Sequence, residues 1–260
     1  MRLGFAGFIY DFKDTDYTRT AYNLIKRHRY PHKFYYVSFD RPERSYRFNP
    51  LKVVRDRTEL IQLMEDVLLA LLPKKEQQNE WVAGGLGILR GVAFRFWDEF
   101  PEHCTLPHIL AFIMTASARQ LSLFLQQNLV SEMLAGAYLK AEGSEKTQAS
   151  YLSTLCNNLA TISQNEEIAY VLSGDDFDFN LIDPENPKLF AVSNNFSKNS
   201  VYAPVISMLM TISARQFSMQ NRVPFVYFLD EMTTVNIKNF ETLPSVLREY
   251  KAAFILLTQS

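Results

Sequence analysis

Two adjacent carboxylates, Asp230 and Glu231, follow the apolar run Val226–Leu229. We predict that this run is a buried strand, which would deliver both side chains to its carboxyl end. In the arrangement known as Walker B, the first carboxylate holds the shell of a Mg²⁺ ion and the second polarises the water that attacks a nucleotide phosphate. The same pattern also occurs by chance at strand ends, where the carboxylates are simply solvated.

A second polar strand end strengthens the nucleotide hypothesis. The apolar run Ala253–Leu257 is followed by Thr258 and Gln259, and RecA-like motors keep a residue that senses the γ-phosphate at such a position. Arg248 precedes this strand and could act as an arginine finger across a subunit boundary, since such a group stabilises charge on the transferring phosphoryl. An exposed arginine favoured by the dipole at a helix end is the alternative explanation.

The phosphate-binding loop that such a site needs, G-x-x-x-x-G-K-[ST], does not occur in the 260 residues. The nearest approach is Lys146-Thr147, but Lys140 and Glu145 stand where the two glycines are required. A carboxylate there would repel phosphate, and side chains would block the backbone amides that cradle it. We therefore predict that residues 142–147 form a loop between helices.

Other metal and nucleophile patterns are incomplete. Residues 176–180 imitate the start of a calcium loop, but Leu181 and Pro187 occupy the positions of its glycine and closing glutamate. The four histidines show no metal-ligand spacing, so no metal is expected beyond the Mg²⁺ that would accompany a nucleotide. Cys104 and Cys156 are too few for a disulfide framework and fit a reducing compartment.

Composition places the chain among ordinary globular proteins. Hydrophobic residues make up 47% and charged residues 21%, with a net charge of −1, which excludes disordered and collagen-like classes. No apolar run approaches the roughly 18 residues that span a bilayer, so we expect this chain to be soluble. Residues 1–57 carry thirteen basic and six acidic residues; this segment could face nucleic acid, or its charges could line solvated surfaces.

The hydrophobic patterns predict an α/β protein with an insertion. Strand and helix patterns alternate up to Pro73 and resume near residue 189, as in a parallel sheet flanked by helices. Between them only helical periodicity is found, and Gly84, Gly85 and Gly87 within it favour close helix packing over a dinucleotide site. We assign residues 1–75 and 185–260 to an incomplete α/β domain and residues 76–184 to an inserted all-α domain.

The order of these elements resembles the coupling-protein ATPases of conjugative and type IV secretion systems, the TraG/TraD-like family of FtsK/RecA-like motors. Residues 9–14 resemble the family's strand ending in Asp-Pro-Lys-Gly-Glu, although Phe12 and Asp14 depart from its Pro and Gly. The other segments that carry the resemblance are 46–51, 172–178, Phe228–Glu231, Arg248 and Gln259. The resemblance implies a RecA-like, mostly parallel sheet.

In function, the resemblance implies a hexameric, ATP-driven motor at the cytoplasmic face of the bacterial inner membrane. Such a motor would recruit the relaxase–single-stranded DNA complex and drive its transfer through the type IV secretion channel, with the helical domain contacting substrate protein or relaxosome. By the same resemblance, Asp230 would hold Mg²⁺ with ATP, Glu231 would activate water, Gln259 would sense the γ-phosphate and Arg248 would act in trans.

The departures from the family suggest an internal fragment. In the family, transmembrane helices, the P-loop strand and the P-loop helix precede the segment found here. We therefore expect this chain to be inactive alone and to hold no nucleotide tightly. We also expect an open slot in the sheet beside the Asp230 strand, where the P-loop strand would insert. One alternative is a non-enzymatic helical adaptor on a degenerate RecA-like scaffold, binding a partner protein without ATP. Another is a DNA-packaging or chromosome-translocating relative, although these lack the helical insertion.

Overall fold

The computed structural model describes residues 4–13, 15–73, 75–218, 221, 223–237 and 240–258. The chain divides into two compact units: Met1–Val53 with Gly174–Ser260, the sheet unit, and Val54–Ser173, the helical unit. In chain order the elements are β1 (Ala6–Asp11), α1 (Asp16–His28), β2 (Lys33–Ser38), α2 (Arg57–Ala70), α3 (Glu80–Glu99), α4 (Leu106–Thr115), α5 (Ala118–Gln126), α6 (Leu129–Leu134), α7 (Gly136–Lys140), α8 (Glu145–Ser163), α9 (Glu166–Leu172), β3 (Lys188–Ser193), α10 (Asn199–Arg215), β4 (Phe225–Asp230), α11 (Leu243–Arg248) and β5 (Ala252–Leu257).

The sheet unit contains one parallel sheet with the strand order β2-β3-β1-β4-β5. Its central strands are apolar runs buried on both sides, as strands of a parallel sheet covered by helices must be. On one face, α1 packs against Ile9, Leu189 and Ala191. The α10 helix lies on the other face, where Ser213 Oγ and Tyr227 OH are hydrogen-bonded at 2.9 Å. The predicted α/β class is thus confirmed.

The expected open slot beside the Asp230 strand is not present. Strand β4 pairs with β1 on one side, in the register Ile9↔Phe228, and with β5 on the other, in the register Phe228↔Ile255. Among the described residues, the free edge on this side of the sheet is that of β5, where Ile255 and Leu256 are each 45% exposed. The expectation placed the opening one strand too far inward, because strand order depends on long-range pairing that local patterns do not record.

The helical unit is built around α3, against which α2, α6 and α8 pack. Its glycines bring helices close together: a Cβ atom at Gly87 would lie 2.8 Å from the Leu134 carbonyl oxygen, and one at Gly84 would overlap the Tyr151 ring. Close helix packing is therefore what these glycines permit. The segment with Lys146 and Thr147 follows a helix and not a strand, as predicted, but the predicted loop over residues 142–147 is too long, because α8 already begins at Glu145.

The two units begin and end away from the predicted domain boundaries. Helix α2 belongs to the helical unit, where Arg90 and Glu65 form an ion pair of 2.6 Å between α3 and α2. Residues 174–184 belong to the sheet unit, since Phe177 stacks on Tyr35 with ring centroids 4.1 Å apart. Aromatic packing of this loop, which has no periodicity in sequence, moves the boundary.

Two helical features were not predicted. Helix α9 buries Ile168, Val171 and Leu172, and the Asn165 side chain caps it by accepting a hydrogen bond from the Ile168 amide. The helical periodicity of residues 130–140 predicts one helix, but the structure divides this segment into α6 and α7 at Ala135. None of the described helices combines the length and apolar character needed to cross a membrane.

Candidate functional site

Three polar side chains lie next to one another at the carboxyl edge of the sheet. Asp11 is the register partner of Ser193 on β3, and the pairing Tyr10↔Leu229 places Asp11 beside Asp230 on β4. Because side chains alternate along a strand, all three point to the face that α1 covers, two positions beyond the apolar residues packed there. They are 0%, 2% and 5% exposed, respectively.

Backbone amides contact both carboxylates, one from the first turns of α1 and one from the connection between β1 and α1. The Thr18 amide donates a hydrogen bond of 2.8 Å to Asp11 Oδ2, and the Phe12 amide donates to the Asp230 carboxylate. Backbone amides at a helix start, together with the positive end of the helix dipole, favour negative charge. The local fold therefore accommodates anionic oxygen at this edge of the sheet.

Burial of the two carboxylates opposes their ionisation, which the helix dipole and the backbone amides favour. Burial raises the pKa of Asp11; interactions with the Thr18 amide and side chain and with the Lys13 amide only partly offset this rise, and the negative charge of Asp16 adds to it. Burial also raises the pKa of Asp230; the Phe12 amide lowers it, whereas the negative charges of Asp11 and Glu231 raise it further. Within the described residues, Asp11 Oδ1, Ser193 Oγ and Asp230 Oδ2 have no hydrogen-bond partner. The site thus concentrates buried negative charge and unpaired oxygen atoms.

A tight turn positions Glu231. Its backbone is left-handed, with φ of 47°, a conformation that costs a non-glycine residue about 1 kcal/mol and is kept where surrounding contacts fix it. The Glu231 amide donates to the Leu257 carbonyl at 2.8 Å, and Thr234 Oγ1 donates to the Glu231 carbonyl at 2.7 Å. The turn redirects the chain directly after Asp230, so the two adjacent carboxylates do not continue along one strand.

A hydrogen-bond network that the sequence analysis missed supports this turn. Tyr10 OH and Thr234 Oγ1 lie 2.6 Å apart, and Asn194 Nδ2 donates to Tyr10 OH at 2.8 Å. Asn194 Nδ2 also donates to Asn199 Oδ1 at 2.7 Å, and Asn199 Nδ2 donates to the Thr234 carbonyl at 3.3 Å. The polar residues after β3 were the available signal, since they follow an apolar strand just as Asp230 does.

The other predicted residues are not assembled here within one chain. Arg248 is exposed at the end of α11, and β5 then runs parallel to β4 with Ala252 beside Phe225. Arg248 therefore lies at the amino edge of the sheet, about 20 Å from the carboxyl edge where Asp230 is found, at about 3.3 Å per residue. Gln259 and Asp14 lie outside the described residues.

The site is rich in oxygen atoms, but the described residues do not supply it with three side chains of the types that most often bind metals. No group of three or more His, Cys, Asp or Glu residues with suitable geometry occurs in the part of the chain that the structure describes. A hard cation here would take carboxylate oxygen from the aspartates and the remaining ligands from a hydroxyl, water or phosphate.

Comparison with known proteins identifies the family. A family model described as "Type IV secretory system Conjugative DNA transfer" matches residues 9–260. No match to a curated protein sequence was found.

Among solved structures, the bacterial conjugative coupling protein TrwBdeltaN70 in complex with sulphate is 14% identical and has a TM-score of 0.67. The match covers 98% of this chain and 63% of that structure's chain. TrwB in complex with ADP and Mg²⁺ is 14% identical with a TM-score of 0.65, and the coverage is 100% and 64%. TrwB with a non-hydrolysable GTP analogue is 15% identical with a TM-score of 0.66 and the same coverage. These matches confirm the RecA-like fold, and the chain spans less than two thirds of the length of these structures. The chain belongs to the type IV secretory system conjugative DNA transfer family.

Proposed function

We propose that this chain is part of an ATP-driven coupling protein that recruits the relaxase–single-stranded DNA complex and drives its transfer through a type IV secretion channel. The observation that carries the proposal is the Asp230-Glu231 pair at the carboxyl edge of an inner parallel strand, in a chain of the conjugative DNA transfer family. Ligands of open parallel sheets bind at that edge.

The residues present fit Mg²⁺. Asp230 Oδ2 is a buried carboxylate oxygen with no partner among the described residues, which is the type of hard ligand that Mg²⁺ prefers. Bound together with ATP, the ion would neutralise charge on the β- and γ-phosphates. In this proposal Asp230 holds the ion, and Glu231, turned away from the strand by its left-handed backbone, polarises water. Gln259 is proposed to sense the γ-phosphate.

The missing phosphate loop has a natural place in the sheet. Beyond β5 the edge is free among the described residues, and beside α1 lies an apolar groove of about 540 Å³ whose lining includes Tyr17, Leu24, Val226, Phe228 and Ile255. A parallel sheet needs both faces covered. We propose that a strand and helix carrying the P-loop occupy this edge and groove in the working protein, and that this chain alone binds ATP only weakly.

The position of Arg248 supports a role across a subunit boundary. An exposed arginine at the amino edge cannot reach the Asp230 site of its own chain, but in a ring it could face the carboxyl edge of a neighbour. We therefore propose that the chain works in a ring, a homo-hexamer. From the family to which the chain belongs, we also propose that this ring lies at the cytoplasmic face of the bacterial inner membrane. The helical unit exposes Leu123, Leu129 and Met133, and we propose that it contacts relaxosome or channel components.

The experiment is Glu231→Gln in the longest natural polypeptide that contains this chain. Nucleotide should still bind, because the substitution leaves Asp230 in place, whereas hydrolysis and DNA transfer should fall by at least about 100-fold, as for loss of a group that acts in the transition state. Glu241→Gln, at an exposed glutamate in the loop before α11, is the matched control. Full hydrolysis by Glu231→Gln would refute the assignment.

The competing function is a helical adaptor without ATP. The observation that favours it is the absence of G-x-x-x-x-G-K-[ST] from these 260 residues. An in-frame strand followed by that sequence upstream of the Met1 codon, together with measurable ATP binding by the longer product, would decide for the motor. Undetectable ATP binding by the longer product would decide for the adaptor.

A further inference from the structure

Buried oxygen atoms without partners converge on one place in the sheet unit. Asp11 Oδ1, Asp230 Oδ2 and Ser193 Oγ each lie in a side chain that is more than nine-tenths buried, and none has a hydrogen-bond partner among the described residues. A buried polar atom left unpaired is costly, and a buried charge costs more unless an opposite charge compensates it. Three such atoms at one site call for a ligand.

Their positions form a row across three strands. Ser193, Asp11 and Asp230 are register neighbours on β3, β1 and β4, which lie about 4.8 Å apart in a parallel sheet, and they share the face covered by α1. The middle member, Asp11, can reach either neighbour. Its Oδ2 accepts the hydrogen bond from the Thr18 amide, and its Oδ1 has no hydrogen-bond partner among the described residues.

The chemistry of the row selects the kind of ligand. Two carboxylates and a hydroxyl offer only hard oxygen donors, which suit a divalent cation of the Mg²⁺ and Mn²⁺ class and suit an anion poorly. Of the charged groups that act on Asp230, Asp11 and Glu231 are negative and Lys13 is positive; Asp16 acts on Asp11. The Lys13 side chain is exposed, so it compensates the negative charge of these carboxylates only weakly.

We propose that Asp11 and Ser193, together with Asp230, form a divalent-cation site that this chain provides before any nucleotide binds. The inference deepens the proposed function, on which it rests for the role of Asp230 as a cation ligand. It adds Asp11 as a second charged ligand, contributed by a strand outside the Asp-Glu segment, and Ser193 as a neutral one. Preloading with a cation would remove the repulsion between the two carboxylates before ATP arrives.

The test measures Mn²⁺ binding to the 260-residue chain without nucleotide, by the loss of the free-ion electron paramagnetic resonance signal. We expect one Mn²⁺ per chain, displaced by excess Mg²⁺. Asp11→Asn should weaken binding at least tenfold and Ser193→Ala by a few fold. Asp16→Asn removes an exposed carboxylate that acts on Asp11 by charge but is not a proposed ligand, so it should weaken binding less than either.

The Asp11→Asn variant keeps a side-chain carbonyl oxygen that can accept the hydrogen bond from the Thr18 amide. Circular dichroism checks that this variant is folded. Should it not fold, the rise in the unfolding midpoint of the wild-type chain with Mn²⁺, compared with that of Ser193→Ala, provides the same test. No Mn²⁺ binding by the wild-type chain, or equal binding by folded Asp11→Asn, would overturn the site. ATP hydrolysis by the longer protein without nucleotide-free Mn²⁺ binding would refute this inference alone, and Asp11-dependent Mn²⁺ binding without any ATPase activity would refute the proposed function alone.

Discussion

Replacing Asp11 by Asn should stabilise the cation-free protein, although it alters a fully buried side chain. Two carboxylates on neighbouring strands, about 5 Å apart in a medium with an effective dielectric constant of about 20, repel each other by about 3 kcal/mol. Asn retains an acceptor for the Thr18 amide and can donate a hydrogen bond to Asp230 Oδ2, which has no partner among the described residues. Measured effects of single substitutions are smaller than such Coulomb energies, so we expect a gain of about 1–2 kcal/mol in the free energy of unfolding at neutral pH.

The gain should depend on pH with a definite sign. Burial raises the pKa of both Asp11 and Asp230 above that of the unfolded chain, so the native state binds more protons across this interval. Wild-type stability should therefore fall as the pH rises from about 4, the unfolded pKa of Asp, through the raised native values. Asn carries no charge at any pH, so the advantage of Asp11→Asn should be small at low pH and should grow over the same interval.

Urea unfolding in the presence of EDTA, at about pH 4.5 and about pH 7.5, measures both effects. Asp16→Asn is the matched control: it removes an exposed carboxylate that favours the helix dipole of α1, and should cost up to about 0.5 kcal/mol. A lower stability of Asp11→Asn than of wild type at pH 7.5, or an equal gain in stability at both pH values, would show that repulsion between the Asp11 and Asp230 carboxylates does not destabilise the folded protein.

One further substitution in each unit tests what stabilises it, charged hydrogen bonds in the sheet unit and close packing in the helical unit. Burial opposes ionisation of Asp40, but hydrogen bonds from Lys198 at 2.6 Å, from Asn195 and from Tyr202 at 2.9 Å outweigh this effect and lower the pKa of Asp40. The stabilisation that these bonds give to the folded protein is present above the pKa of the unfolded chain, and it is lost as the pH falls through the lowered pKa of the folded protein. Asp40→Asn should therefore cost about 1–2 kcal/mol at pH 7 in urea unfolding and less at low pH, and an undiminished cost at low pH would contradict the ionic explanation. In the helical unit, Gly87→Ala should cost about 1–3 kcal/mol by calorimetry despite the better helix propensity of Ala, because its Cβ would meet a backbone carbonyl at the end of α6. Gly136→Ala, where a Cβ would meet nothing within 4 Å, should be neutral or stabilising, so equal losses at both glycines would contradict the packing argument.

Local sequence predicted most elements of this protein to within a few residues. Strand β4 ends at Asp230, one residue after the apolar run that predicts it. Asp56 caps α2 by accepting a hydrogen bond from the Glu59 amide. These features depend on side-chain patterns and caps that span only a few residues, so the local sequence is enough to predict them. Helix α9 was missed because it is short, although Asn165 followed by two glutamates is a recognisable start.

The strand order required the tertiary structure. Apolar runs identify five strands, but nothing in them states that β1 separates β3 from β4, or that β5 and not β4 has the free edge. The return of the chain to the sheet unit at Gly174 also depends on contacts between distant residues, above all the stacking of Phe177 on Tyr35.

The candidate site divides in the same way. The sequence alone marked Asp230, Glu231, Arg248 and Gln259, because each follows or precedes an apolar strand in a pattern with known chemistry. Only the fold places Asp11 and Ser193 beside Asp230, and only the fold places Arg248 at the opposite edge of the sheet. The physical reason is that backbone pairing joins residues far apart in the chain, and burial then turns an ordinary aspartate into a charge that needs a partner.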